Sequence, residues 1–494
     1  MSDPSKNLKA SVVQAIDYII VIVLSAFCLK YITYSGRSFA ETSVQFSFLN
    51  FPVFVGEFLS IGCMFLFFMR ITFSNISFRL WHFTALLFFC FMLTKAICGY
   101  QHWGPLALRD AALFYYVGFA MMSYVCYRAD FFNKWMILIL YAALIWLVFD
   151  SQFNEYWLMP RIFMGLVLAH QFPNRRVGVL MALGVLLLTP YQYFLDTSRS
   201  VILGNFIAVS FVLILWPAVV DRKMRILFVG GSVLILTILG AYIFHFSGYR
   251  AAQGLLAVDK LNNVLSETEQ HINDKKSKFK KRELETVMIY NPNEADQTGP
   301  DVIVSKQDVS VESLSATGSV DQLASSIEGM KLGNSVFRIL LWKDAIKEIV
   351  QQKKPFGIDF GKPFRSENLE IIRSAANEWQ RDGWIAMHNS YLNIIYRAGL
   401  VGVVFIVTLL ALFVHMVVIF LRIKSVVGLL LCASLLVSFV AAFFAVTLEL
   451  PYTAIPIWSL FGLTLGFAHR KSKNVKSNLV NPTTDSIHAH SHCS

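Results

Sequence analysis

A histidine, an amide and a hydroxyl stand together at His388, Asn389 and Ser390, where a long polar segment returns to an apolar run. Because polar groups are costly in hydrocarbon, we expect this cluster at a membrane face, where it can serve a substrate. An imidazole titrates near neutrality and can accept a hydroxyl proton, so His388 is a candidate general base. The alternative is a histidine that caps a helix or packs at an interface. The adjacent amide and hydroxyl favour the catalytic interpretation.

Arginines on the outer side of the membrane form the second candidate group. Guanidinium groups stay charged and bind phosphate oxygens in pairs, which suits a polyanionic substrate such as a lipid-linked diphosphate. The pattern of apolar runs predicts five such arginines: Arg109, Arg161, Arg199, Arg338 and Arg397. Arg161 would lie inside a short span, where it is costly unless it has a partner or faces a cavity. Arg397 is about half a helical turn out of phase with His388, so we expect it to face elsewhere.

Three of these arginines also have local alternatives. Arg199 follows Asp196 in a tight polar turn and could form a salt bridge with it, and Arg109 could pair with the adjacent Asp110. Arg338 could belong to the solvated face of an amphipathic helix.

The composition is that of a membrane protein, because 56% of the 494 residues are hydrophobic, 43 of them phenylalanine, and only 15% are charged. A soluble domain could not hide so much apolar surface from water. The formal net charge of +11 does not indicate nucleic-acid binding, since the basic residues lie mostly in short loops between apolar runs. The sequence contains no nucleotide-binding, HExxH, GxSxG or Asp-x-Asp motif, so it predicts no cofactor and no metal. We expect no cleavable signal peptide.

Apolar runs predict an all-α polytopic membrane protein with about twelve transmembrane helices. The predicted spans are 12–32, 51–69, 80–97, 111–127, 135–149, 157–172, 177–194, 200–220, 226–246, 401–421, 425–447 and 455–468. Basic residues occur in alternate loops, which predicts that both termini are cytoplasmic.

Four domains follow from this pattern. Residues 1–246 form an N-terminal bundle of about nine spans, and residues 388–470 form the C-terminal membrane helices. Between them lies a large outer loop at 247–387, before the last three spans. Its first part, 259–329, is polar and predicted to be flexible, whereas 332–387 is predicted to contain ordered helices. Residues 471–494 are predicted to be a disordered cytoplasmic tail.

Four short segments, in the expected order, resemble the O-antigen ligase and O-antigen polymerase family. They are Arg109-Asp110, Thr197-Ser198-Arg199, Arg338 with Trp342 ahead of the segment 355–361, and His388-Asn389-Ser390-Tyr391 with Arg397-Ala398-Gly399-Leu400. The last of them is the most specific. The polar insertion at 259–329 is longer than the family pattern requires.

The resemblance implies a metal-independent membrane glycosyltransferase of the GT-C type, acting in lipopolysaccharide or polysaccharide biosynthesis. Such enzymes take a glycan from undecaprenyl diphosphate on the periplasmic side of the bacterial inner membrane. The acceptor is the lipid A core, a growing polysaccharide or a protein hydroxyl. By resemblance, Arg199 and Arg338 hold the diphosphate, and His388 activates or orients the acceptor hydroxyl. Asn389 and Tyr391, from the same motif as His388, are expected to contact substrate.

The rival interpretation is a secondary transporter or a flippase for the same lipid. Transporters typically have paired broken helices in matching halves and charges near the membrane midplane. Here the candidate charges gather at one face and one loop is very large, which favours an enzyme.

Overall fold

The structure, a computed structural model, describes residues 80–128, 199–219, 333–366 and 387–480. It also describes residues 11–12, 15–16, 18–19, 43–44, 53–54, 62, 65–66, 69, 174, 176–178, 180, 266, 270, 273–274 and 277. The helices are α1 (Leu80–Trp103), α2 (Leu106–Tyr115), α3 (Gly118–Arg128), α4 (Arg199–Val219), α5 (Gly333–Gln352), α6 (Ser390–Ala398), α7 (Leu400–Arg422), α8 (Val426–Ala442) and α9 (Pro451–Val480). Two short strands, β1 (Ser43–Val44) and β2 (Val53–Phe54), pair antiparallel.

The described residues agree with an all-α protein apart from this two-residue strand pair. Helices cover the predicted spans 80–97, 200–220 and 401–421 and most of 425–447, and α9 contains 455–468. By length and composition, the described residues include one helix that could cross a membrane, α7, while Leu203–Val219 and Val426–Ala442 are shorter apolar helices. The number of twelve spans stays a prediction, because the spans at 12–32, 51–69, 135–149, 157–172, 177–194 and 226–246 lie wholly or largely outside the described residues.

Two helices differ from their predicted spans. The span 111–127 is divided into α2 and α3, because the chain tightens at Tyr116 and restarts at Gly118. Val117 and Phe119 donate there to carbonyls three residues earlier, at 3.2 and 3.0 Å, instead of four. Strand β2, at Val53–Phe54, lies within the predicted span 51–69. Helix α9 continues to Val480, ten residues beyond the predicted domain boundary at 470.

The chain divides into two compact units. The bundle unit comprises Met1–Ser232, Lys354–Lys362 and His388–Ser494, and the loop unit comprises Val233–Lys353 and Pro363–Met387. An apolar cluster forms the core of the described part of the bundle unit, and its largest fully buried side chains include Trp458, Tyr116, Phe114 and Phe420. In the loop unit, α5 matches the amphipathic helix predicted after residue 332. One face of α5 buries Leu340, Leu341 and Ala345.

A buried ion pair connects three separate segments of the bundle unit. Arg397 Nη2 lies 3.1 Å from Asp110 Oδ2, and each side chain is only 6% exposed. The same carboxylate oxygen accepts a hydrogen bond from the backbone N–H of Gly361 at 2.6 Å. Arg397 Nη1 donates to the carbonyls of Asp359 and Lys362, at 2.9 and 3.0 Å. The pair therefore joins α2, α6 and the segment 354–362.

A second cation, Lys95 of α1, also binds the segment 354–362. Its Nζ donates to the carbonyls of Phe356 at 2.6 Å, Ile358 at 3.0 Å and Arg397 at 2.5 Å. An ammonium group has three donors, so these carbonyls use its full capacity. Lys95 is the only Asp, Glu, Lys or Arg between Arg79 and Arg109, which is the signal by which the sequence could have identified it.

The segment 354–362 approaches the C-terminal end of α6 so closely that the contact requires a glycine on each side. Gly357 has φ +76° and Gly399 has φ +57°. A Cβ on Gly357 would lie 2.5 Å from Gly399 N and 2.6 Å from the carbonyl carbon of Arg397. The contact is closed by a hydrogen bond from the Leu400 N–H to the Pro355 carbonyl, at 2.8 Å.

Gly357→Ala should destabilise the protein more than Gly104→Ala. Both glycines have positive φ, so each alanine incurs a similar backbone cost of about 1–2 kcal/mol. A Cβ at Gly104 meets nothing within 4 Å, whereas a Cβ at Gly357 meets backbone that cannot move aside. The steric term should add about 1–3 kcal/mol at Gly357 alone. Unfolding of the purified variants in detergent measures the difference, and equal losses would contradict the close approach.

Asp110→Ala should cost about 3–5 kcal/mol of unfolding free energy, because it leaves the Arg397 guanidinium buried without its partner. The matched control is Lys354→Ala, which breaks an ion pair of 2.9 Å with Asp359 whose side chains are 44% and 50% exposed. Such an exposed pair should contribute less than about 1 kcal/mol. In a double-mutant cycle, Asp110→Ala with Arg397→Met should be less harmful than the sum of the single changes. Additive losses would show that the two side chains do not act as a pair.

Candidate functional site

His388 lies two residues before the start of α6 and is half-buried. Its φ of +50° is uncommon for a residue with a side chain and fixes the direction from which the chain enters the helix. The capping role belongs to Asn389, whose side-chain oxygen accepts the Leu392 N–H at 3.0 Å. His388 is therefore not the helix cap, and one of the two non-catalytic interpretations is removed.

The next two residues attach α6 to the rest of the bundle unit. Ser390 Oγ donates to the carbonyl of Ala445 at 3.1 Å and accepts the N–H of Leu448 at 3.2 Å. The Tyr391 hydroxyl donates to the carbonyl of Phe439 at 2.9 Å. Ser390 and Tyr391 are both buried. These contacts and the cap are structural, so the substrate-contact roles expected for Asn389 and Tyr391 rest on the sequence resemblance.

An acidic residue that the sequence analysis did not select, Glu449, lies in the turn 443–450 between α8 and α9. Its carboxylate is hydrogen-bonded to the Asn393 side chain of α6. Oε1 is buried and has no hydrogen-bond partner among the described residues. Burial raises the pKa of Glu449 to about 7, although the Asn393 hydrogen bond opposes this shift. The available signal was its isolation, since it is the only Asp, Glu, Lys or Arg between Lys424 and Arg470.

Two of the predicted arginines, Arg109 and Arg397, lie in the bundle unit with different surroundings. Arg109 is half-buried in α2, where its charge acts on both Asp110 and Glu449. The short ion pair of Asp110 is with Arg397 and not with its sequence neighbour. The expectation that Arg397 faces away from His388 stays a prediction.

Two further predicted arginines are less fully described. Arg199 is the first residue of α4, and the structure describes its backbone but not its side chain. Arg161 lies outside the described residues.

The loop unit contains Arg338 on α5. Its Nε is buried and has no hydrogen-bond partner among the described residues. On the same helix, Trp342 Nε1 donates to the carbonyl of Met387 at 2.8 Å, so α5 holds the residue that precedes His388. Ser366 Oγ donates to Asp344 at 2.5 Å, which holds the chain after the segment 354–362.

The structure thus brings together Arg109, Asp110, Asn393, Arg397 and Glu449 in the bundle unit. Arg338 belongs to the loop unit, so the convergence of Arg199, Arg338 and His388 stays a prediction. No group of three or more His, Cys, Asp or Glu that could hold a metal ion occurs in the described part of the chain.

Residues 182–407 match the family model described as O-antigen ligase. No curated protein matches the chain. The matched range contains Arg199, Arg338 and His388 and ends within α7. The domain at residues 182–407 is therefore similar to the O-antigen ligase family, in agreement with the resemblance of the sequence motifs.

Proposed function

We propose that the protein is a membrane glycosyltransferase that transfers a glycan from undecaprenyl diphosphate to an acceptor hydroxyl on the periplasmic side of a bacterial inner membrane. The observation that carries this proposal is the family match, because one continuous match contains all three candidate catalytic residues, Arg199, Arg338 and His388. The proposed topology is multi-pass, with both termini in the cytoplasm.

In this proposal Arg199 and Arg338 bind the diphosphate of the donor. Charge develops on the diphosphate as its bond to the sugar breaks, and fixed guanidinium groups stabilise that charge. The buried Nε of Arg338, which has no hydrogen-bond acceptor among the described residues, supports this role. A buried N–H without an acceptor is costly unless a ligand oxygen accepts its hydrogen bond. Arg109 and Arg161 are proposed as further contacts to the anionic donor.

His388 is proposed to orient or activate the acceptor hydroxyl. Its position supports this role, because the preceding residue is held by Trp342 and the following helix is capped by Asn389. A residue whose chain neighbours on both sides are held in place is suited to present a hydroxyl in a reactive orientation. The diphosphate ester supplies the energy of transfer, and the mechanism uses neither a metal ion nor another cofactor. The acceptor is a lipid A core, a growing polysaccharide or a protein.

Arg338→Ala and Arg199→Ala should each lower glycan transfer by about 10²–10³-fold, because each removes one stabilising group from the leaving diphosphate. Arg338→Lys should remain well below wild type, since an ammonium cannot form the paired contact. The matched control is Arg365→Ala, an exposed arginine of the loop unit, which should transfer at the wild-type rate. The assay uses purified protein with lipid-linked glycan extracted from cells that lack this gene, and it offers all three acceptor classes.

If His388→Ala, Arg199→Ala and Arg338→Ala all transferred glycan at the wild-type rate, the proposed catalytic site would be wrong. Movement of the donor across a proteoliposome membrane, without transfer to any acceptor, would instead establish the rival flippase interpretation.

A further inference from the structure

The proposed function leaves the Glu449 carboxyl without a role. Glu449 lies outside the residues matched by the O-antigen ligase family, in the turn 443–450. The N–H of Leu448 and the carbonyl of Ala445, on the same turn, are both bonded to Ser390 Oγ. The turn is therefore attached to the first residue of α6, two positions after His388.

The carboxylate has unused hydrogen-bonding capacity. A carboxylate offers about four lone-pair sites. The described residues supply one side-chain hydrogen bond, from Asn393, and none to the buried Oε1. A buried acceptor without a donor is costly, so such an oxygen requires a reason for its presence. An approaching substrate hydroxyl would supply the missing donor.

The charges around Glu449 keep it near its point of ionisation. The pKa of Glu449 is raised to about 7, mainly by burial and in addition by the charge of the nearby Asp110 carboxylate. Three groups oppose this shift: the Asn393 side chain, through its hydrogen bond, and the guanidinium charges of Arg397 and Arg109. A group that exchanges protons near neutral pH suits general base catalysis at that pH.

We propose that Glu449 is a further catalytic residue, the general base that takes the proton from the acceptor hydroxyl. This inference rests on the proposed function. As the hydroxyl oxygen forms its bond to the anomeric carbon, its proton passes to Glu449 Oε1. The bond between the anomeric carbon and the diphosphate oxygen breaks at the same time, and its electron pair leaves with undecaprenyl diphosphate. In this mechanism His388 orients the acceptor hydroxyl, and the proton of that hydroxyl goes to Glu449 and not to His388.

A purely structural carboxylate, which only braces the turn against Asn393, is the alternative to exclude. The two roles differ when the nucleophile needs no base. Azide is an anion at neutral pH and can attack the anomeric carbon directly, giving a glycosyl azide and undecaprenyl diphosphate. Loss of a base therefore stops transfer to a hydroxyl and leaves transfer to azide intact.

The experiment compares wild type, Glu449→Gln, Arg338→Ala and the control Glu348→Gln, which makes the same change on the loop-unit helix α5. The donor is a lipid-linked glycan extracted from cells that lack this gene. Glu449→Gln should lower transfer to the hydroxyl acceptor by about 10²–10⁴-fold and keep the wild-type rate with azide. Arg338→Ala should be slow with both nucleophiles, and Glu348→Gln should match wild type with both. The wild-type rate with the hydroxyl acceptor should rise with pH through about 7, and the rate with azide should not.

Three outcomes would overturn the inference. Full hydroxyl transfer by Glu449→Gln would show that no proton goes to this residue. Equal loss with hydroxyl and azide would assign Glu449 a structural role. A folding defect in Glu449→Gln can be distinguished from the loss of a base by measuring stability. Because folding raises the pKa of Glu449 from about 4.5 to about 7, ionisation of its carboxyl destabilises the fold as pH rises through this range. The amide variant should therefore have a Tm at pH 8 no lower than that of wild type, and a lower Tm would count against the proposal. A wild type that transfers to neither nucleophile would overturn the proposed function itself.

Discussion

The ion pair between Asp110 and Arg397 is the contact on which the rest of the bundle unit depends. Two opposite charges that are 6% exposed must satisfy each other, because neither can return to water without unfolding the surrounding structure. Arginine suits this position better than lysine, since its planar group reaches a carboxylate and two carbonyls at once. A single side chain thereby fixes the end of α6 to a helix almost 290 positions earlier in the chain.

The same contacts explain why the separate sequence motifs occur together. The Arg109-Asp110 motif, the segment 355–361 and the Arg397-Ala398-Gly399-Leu400 motif pack directly against one another. Their shared role is to hold α6 at its C-terminal end, while Ser390 and the Asn389 cap hold it at its N-terminal end. Catalytic groups that must be placed to within a fraction of an ångström benefit from a helix that is fixed at both ends.

The sequence predicted helix positions best where one local property decided them. Long apolar runs predicted α4 and α7 to within one residue at each end. The break within 111–127 was not predictable, because no proline marks it and glycine is common in apolar helices. The roles of Lys95 and Glu449 were missed for a different reason. Lys95 bonds to carbonyls more than 260 positions away, and Asn393 also lies outside any local sequence pattern around Glu449. Such partners become visible only when the chain is folded.

Helices α3 and α9 meet through backbone at Gly462. A Cβ built there would collide with the carbonyl oxygen of Ala120, so the two helices touch without side chains between them. A seam of this kind has no room for an acyl or prenyl tail. For the proposed lipid-linked donor, α3 and α9 thus form a closed wall, and its hydrophobic tail would have to pass along some other pair of helices.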